Sequence, residues 1–116
     1  MSESKLRTMS TDFAVSIIKL VKVLKENRES VISNQIGRSG TSIGANIHEA
    51  QYAHSKADFI AKLQIALKEA NETGYWLELL VRTQYISEEE YKSLDSMCTS
   101  IRILLITSIN TAKGNK

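Results

Sequence analysis

Hydrophobic residues recur along this chain at steps of three and four, in four separate runs. Such spacing places them on one stripe of an α-helix, because an α-helix turns once every 3.6 residues. The first run, Phe13, Ile17, Val21 and Leu24, predicts a helix over about 11–28, with Asp12 as its cap. The second, Ile32, Ile36, Ile43, Ile47 and Ala50, predicts a helix over about 30–53. The third, Phe59, Leu63, Ala66, Ala70, Leu77 and Val81, predicts one over about 56–84, with Ser55 capping it and Asp58 three residues on. The fourth, Tyr91, Leu94, Cys98, Ile101, Leu105 and Ile109, predicts one over about 88–111. Its start, "SEEE", has the form of a capping box, with Ser87 as cap, Glu90 completing it, and further acids favouring the helix dipole. Residues 112–116 read as a polar tail.

Four amphipathic helices with short connections bury their stripes most simply in an all-α, antiparallel up-down-up-down four-helix bundle. The chain has 116 residues, no proline and five glycines, so it reads as one domain of long helices. No linker, internal repeat or low-complexity tract divides it.

The second run contains an anomaly. "QIGRSGTSIGANIHEA", residues 35–50, carries three glycines within a helical pattern. A glycine inside a helix costs about 1 kcal/mol relative to alanine, so Gly37, Gly40 and Gly44 together cost about 3 kcal/mol. Close approach of another helix is the expected compensation. On a helical wheel the isoleucines face the core and Gly40 and Gly44 lie on one flank. Gln35, Arg38, Ser42, Asn46 and Glu49 lie on the other. Amides and hydroxyls stand where a surface helix usually carries Lys and Glu, which suits fixed hydrogen bonds with a neighbouring helix or a second subunit. The third helix also has a mixed outer face, Ile65, Glu69, Glu72, Trp76 and Leu79, whose apolar members point to burial by a partner.

Charge modifies this picture only slightly. The net charge is +2, which permits nucleic-acid binding without marking it. Six cations and four anions fall in the first 30 residues, so that quarter of the chain holds the whole net charge. Lys19, Lys22, Lys25 and Arg28 are therefore the candidate nucleic-acid contacts, and the alternative for them is an ordinary solvated helix face. Arg38 is the only cation between Arg28 and Lys56. It suits either a phosphate or an ion pair with Glu49, Glu69 or Glu72, and the expectation here is a buried network of Arg38, Asn46 and a third-helix glutamate. Polar network and subunit-interface candidates are thus Arg38, Ser42, Asn46, Glu49, Glu69, Glu72 and Trp76.

Enzyme chemistry finds no footing. There is no nucleophile–base motif, and "GRSGTSIG" lacks the spacing and terminal Lys-Ser/Thr of a phosphate loop. His48 and His54 are six residues apart, so they do not share a helix face as an i, i+4 metal pair does. Cys98, the single cysteine, sits on the core stripe and fits a reducing compartment. No apolar run reaches the roughly 18 residues of a membrane span. The start lacks the apolar core of a secretory signal. The expectation is a cytoplasmic, non-catalytic protein with no cofactor, no metal, no membrane association and no small-molecule substrate.

Two stretches carry a resemblance. "RSGTSIGANIHEA", Arg38–Ala50, and "FIAKLQIALKEANETGYWLELL", Phe59–Leu80, resemble the four helix bundle protein family, also called the 23S rRNA intervening-sequence protein family. Arg38, Ser39, Ser42, Ile43, Ala45, Asn46, Ile47 and Glu49 match its first motif, and Phe59, Leu63, Ile65 and Ala66 its second. Gly40 and His48 stand where alanine is usual, and Ala50 where glycine is. The resemblance implies an up-down bundle that forms homo-oligomers, with ring-like pentamers among relatives. Some relatives are encoded inside insertions of large-subunit rRNA genes. A similar branch, the accessory variability determinants of diversity-generating retroelements, binds a reverse transcriptase and nucleic acid. The implied function is a non-catalytic, self-assembling adaptor or scaffold for RNA, DNA or a nucleic-acid enzyme. The alternative is a purely structural or protein-interaction oligomer without nucleic acid.

Overall fold

The computed structural model describes residues 2–114, and side chains from residue 4 onward. Four helices follow one another: α1 (Ser2–Glu26), α2 (Val31–Ala50), α3 (Lys56–Arg82) and α4 (Glu88–Ala112). Each packs on the next, and α4 closes back on α1, while the backbones of the diagonal pairs stay apart. This is an antiparallel up-down-up-down bundle, an elongated body of 45 × 23 × 19 Å.

The stripes converge on one core. Phe13, Ile17 and Leu24 of α1, Ile36, Ile43 and Ile47 of α2, Leu63, Ala66 and Leu77 of α3, and Cys98, Ile101 and Leu105 of α4 are buried. Six expected members are only half-buried at its edge, namely Val21, Ile32, Phe59, Val81, Tyr91 and Leu94. Leu20 and Leu80, beside two of them in sequence, go in instead.

The first helix begins at Ser2, nine residues before the expected start, and Asp12 is an exposed mid-helix residue rather than a cap. Leu6, two turns before Phe13, is buried and extends the stripe. Ser10 is buried between them and bonds the Arg7 carbonyl of its own helix at 3.2 Å.

The remaining ends follow from local hydrogen bonding. Ser55 accepts from the Asp58 amide at 3.0 Å. Ser87 and Glu90 form both halves of the expected capping box, at 3.0 and 2.8 Å. The start of α2 is capped instead by Glu29, whose carboxylate accepts from the Ile32 amide at 2.9 Å and the Ser33 amide at 2.6 Å. Helix α2 stops at Ala50, short of residue 53, because the Tyr52 and Ala53 amides reach back three residues, to Glu49 and Ala50. Arg28 and Gln84 end α1 and α3 in the left-handed region, with φ of 64° and 66°. In each case the following amide bonds five residues back, Glu29 to Leu24 and Tyr85 to Leu80, which is a Schellman ending built without glycine.

Candidate functional site

The glycines of α2 lie against α1. A β-carbon at Gly40 would meet Ile17 Cγ2 at 2.9 Å, and one at Gly37 would meet Val21 Cγ2 at 3.3 Å. At Gly44 the facing group is Ser10, at 3.4 Å. The small side chains therefore let two backbones approach, and α2 runs through Gly40 without a break. This flank is a packing surface and leaves nothing open for a ligand.

The opposite flank of α2 meets α3 and carries the polar cluster. Arg38 Nη1 lies 3.1 Å from Glu69 Oε1, and Nη2 bonds Glu72. Glu72 in turn accepts from Trp76 Nε1 at 3.1 Å. Three- and four-residue steps place Glu69, Glu72 and Trp76 on one face of α3, so one arginine spans two carboxylates and one of these, Glu72, holds the indole. The Arg38 guanidinium is held above its ordinary pKa, first by the hydrogen bond to Glu72. Desolvation alone pushes the Glu72 carboxyl up, but the bonds from Arg38 and Trp76 and the Arg38 charge outweigh it and leave it lowered. Beneath the ions, Thr73 Oγ1 lies 2.8 Å from both Ser39 Oγ and the Glu69 carbonyl oxygen. Both contacts are satisfied when Ser39 donates to Thr73 and Thr73 to the carbonyl.

Two expectations about this cluster change. Asn46 is not part of it, because its amide donates to the Ser42 carbonyl at 2.8 Å, while Ser42 donates to the Arg38 carbonyl at 2.7 Å. These polar side chains are spent on their own helix backbone. Nor is the network buried, since the Arg38 side chain is 51% exposed in the single chain. Glu49 is exposed one turn beyond Asn46 and is not bonded to Arg38. Around the cluster α3 shows Ile65 and Tyr75 exposed, with Tyr75 tilted against Trp76 at 5.2 Å between ring centres.

The α1 cations occupy a different region. Lys19, Lys22 and Lys25 step across the outer surface of α1, about 60° apart at each three-residue interval. Lys25 donates to Asn34 Oδ1 at 2.8 Å. Lys19 lines an open groove of about 490 Å³ between α1 and the start of α4, together with Leu20, Val23, Ile86, Glu89 and Glu90. The fold thus brings the acidic start of α4 alongside Lys19, while Lys25 turns toward α2. Arg28 belongs to the ending of α1.

Other candidates are structural. Cys98 is buried, donates to the Ala70 carbonyl at 3.3 Å, and has its pKa pushed up to about 11, chiefly by burial. His48 stacks edge-on against Tyr52 at 5.4 Å. Among the described residues no group of three His, Cys, Asp or Glu side chains is placed to hold a metal. None of the described helices is long and apolar enough to cross a membrane. Sequence reasoning missed Arg102, which reaches from α4 to Asn71 of α3 at 3.4 Å and to Thr99 at 3.0 Å, with its Nε buried and unpaired among the described residues.

Fold and surface together define a small antiparallel helical bundle whose outer α2–α3 face holds an ion-pair cluster beside exposed apolar side chains. Residues 2–107 match the model of the 23S rRNA-intervening sequence protein family, and the chain belongs to that family. It is similar to a Bacteroides thetaiotaomicron protein of unknown function from the S23 ribosomal protein family, known from a crystal structure. The identity is 56%, over 95% of this chain and 99% of that one, with a TM-score of 0.92. None of the curated proteins matches the chain.

Proposed function

We propose that the protein is a non-catalytic scaffold that assembles with copies of itself and binds RNA, DNA or a protein acting on them. The outer α2–α3 face carries the assembly part of this reading. There Tyr75 is 54% exposed beside a Trp76 whose indole is already fixed by Glu72, and Ile65, three turns earlier on the same helix, is 43% exposed. An ordered aromatic ringed by an ion pair and aliphatic surface is the composition of an interface centre. By the resemblance, a ring of five copies is the expected arrangement. Family membership supports the nucleic-acid part.

A second reading, an oligomer with no nucleic-acid role, draws on the α1 surface, where Lys19 shares its groove with Glu89 and Glu90. A mobility-shift series with large-subunit rRNA fragments between low and physiological salt separates the two. Retardation that weakens steeply with salt supports the scaffold reading. No retardation at the lowest salt leaves the purely structural oligomer.

A further inference from the structure

Folding redistributes the charge of this chain. The antiparallel topology gathers the start of α1, the end of α2, the start of α3 and the end of α4 at one end of the bundle. Among the described side chains that end carries Lys5, Arg7, Lys56, Lys62 and Lys113 against Glu49 and Asp58. Asp58 is already turned toward the loop, 3.4 Å from the His54 amide. At the other end the cations of Lys19–Arg28 share the bundle with Glu26, Glu29, Glu78 and the Glu88–Glu90 run, and Lys19 lines one groove with Glu89 and Glu90. The net positive field therefore sits at the end remote from the α1 lysines. The dipoles do not create it, because two helix starts and two helix ends meet there and oppose one another.

This end also has a shape. A shallow hollow of about 490 Å³ opens between the close of α2 and the start of α3, with Lys56 on its rim and half-buried Phe59 among its walls. Gln51, another of its lining residues, accepts from Arg7 of α1 at 3.4 Å, so a second cation borders the hollow. Tyr52 next to Gln51 is 69% exposed. Cations beside an aromatic-walled hollow match a phosphate backbone with unstacked bases. A lipid surface fits less well, because Tyr52 is the one large exposed hydrophobic side chain described in this loop region and no exposed aliphatic accompanies it.

We propose that this basic end binds single-stranded RNA or DNA, with Arg7 and Lys56 holding phosphates and Tyr52 and the Phe59 hollow taking a base. The proposal rests on the nucleic-acid part of the scaffold reading and moves the contact surface away from Lys19, Lys22, Lys25 and Arg28.

The test is fluorescence anisotropy of a labelled single-stranded oligonucleotide with the full chain across a salt series. Variants are Arg7→Gln/Lys56→Gln, Tyr52→Ser, and Lys19→Gln/Lys22→Gln, each checked for unchanged helical circular dichroism and unchanged assembled mass. All the altered side chains are exposed. The Arg7/Lys56 variant should weaken binding at least about tenfold and flatten the slope of log K against log salt by about 0.7 for each cation removed. Tyr52→Ser should lose about tenfold, as a lost base stack does. The Lys19/Lys22 variant should bind as wild type does. Wild-type affinity in the Arg7/Lys56 variant with loss in the Lys19/Lys22 variant overturns the proposal and leaves the scaffold reading intact. Wild-type protein that ignores the oligonucleotide, or that binds only phosphatidylserine vesicles, overturns this proposal, while the scaffold reading is decided separately by the rRNA-fragment series.

Discussion

The two flanks of α2 solve opposite problems with neighbouring residues. On one flank Gly37, Gly40 and Gly44 bring the backbone against Val21, Ile17 and Ser10 of α1. That contact is finished within the chain, and its stability comes from proximity and exclusion of water. On the other flank Arg38 reaches across to Glu69 and Glu72, the indole of Trp76 is fixed, and the cluster still faces solvent. That contact is satisfied electrostatically but not covered. Small side chains therefore mark where the bundle closes on itself, and the half-exposed ionic and aromatic side chains mark the face that the proposed assembly would cover.

The largest effect should come from filling the closed flank. Gly40→Val puts branched bulk where Ile17 leaves 2.9 Å, and should destabilise by about 3 kcal/mol in chemical denaturation. Combining it with Ile17→Ala should cost at least about 1 kcal/mol less than the two single effects added, because the two side chains compete for one space. Simple additivity would break the seam account.

The buried pair under the open flank comes next. Thr73→Val leaves Ser39 without its partner and should cost about 1–2 kcal/mol, whereas adding Ser39→Ala should recover part of that loss. Gly74 sharpens the contrast between glycines, since a β-carbon there meets nothing within 4 Å. Gly74→Ala should stabilise the chain by about 0.5–1 kcal/mol, seen as a raised melting temperature.

The smallest effect is that of pH. The folded Glu72 carboxyl is lowered relative to the unfolded chain, so its contribution is present at neutral pH and lost as pH falls below about 4.5. Thermal melts between pH 7 and pH 3 should show that loss, and Glu72→Gln should flatten it. Cys98, with its pKa raised to about 11, acts in the opposite direction: its neutral thiol favours the fold below pH ~8.5, and that contribution fades as pH climbs toward the folded value. Native protein should resist thiol alkylation at pH 8, and denatured protein should react.

Much of the bundle was legible because periodicity and caps are local. The α2 stripe, the Ser55 cap and the Ser87–Glu90 box all lie within a few residues of chain. The start of α1 was not legible, because Ser10 interrupts the stripe between Leu6 and Phe13. Its burial makes sense only beside Gly44, a residue far along the chain. The left-handed endings at Arg28 and Gln84 carry none of the usual glycine signal. Of the polar candidates, Arg38, Glu69, Glu72 and Trp76 came together, since helical spacing aligned them. Asn46 and Ser42 did not join, because each donates to a carbonyl one turn back on its own helix. The surroundings of the charge in the first 30 residues were not legible for a topological reason: the bundle folds the acidic start of α4 beside Lys19 of α1.

Light scattering of wild-type protein and of Arg38→Glu tests the open flank most directly. The account predicts a wild-type mass that is a whole multiple of 13.0 kDa, and a variant that keeps its helical circular dichroism but falls to 13.0 kDa. A wild-type chain that is already single, or a variant that stays assembled with like charge set against Glu69 and Glu72, would contradict it.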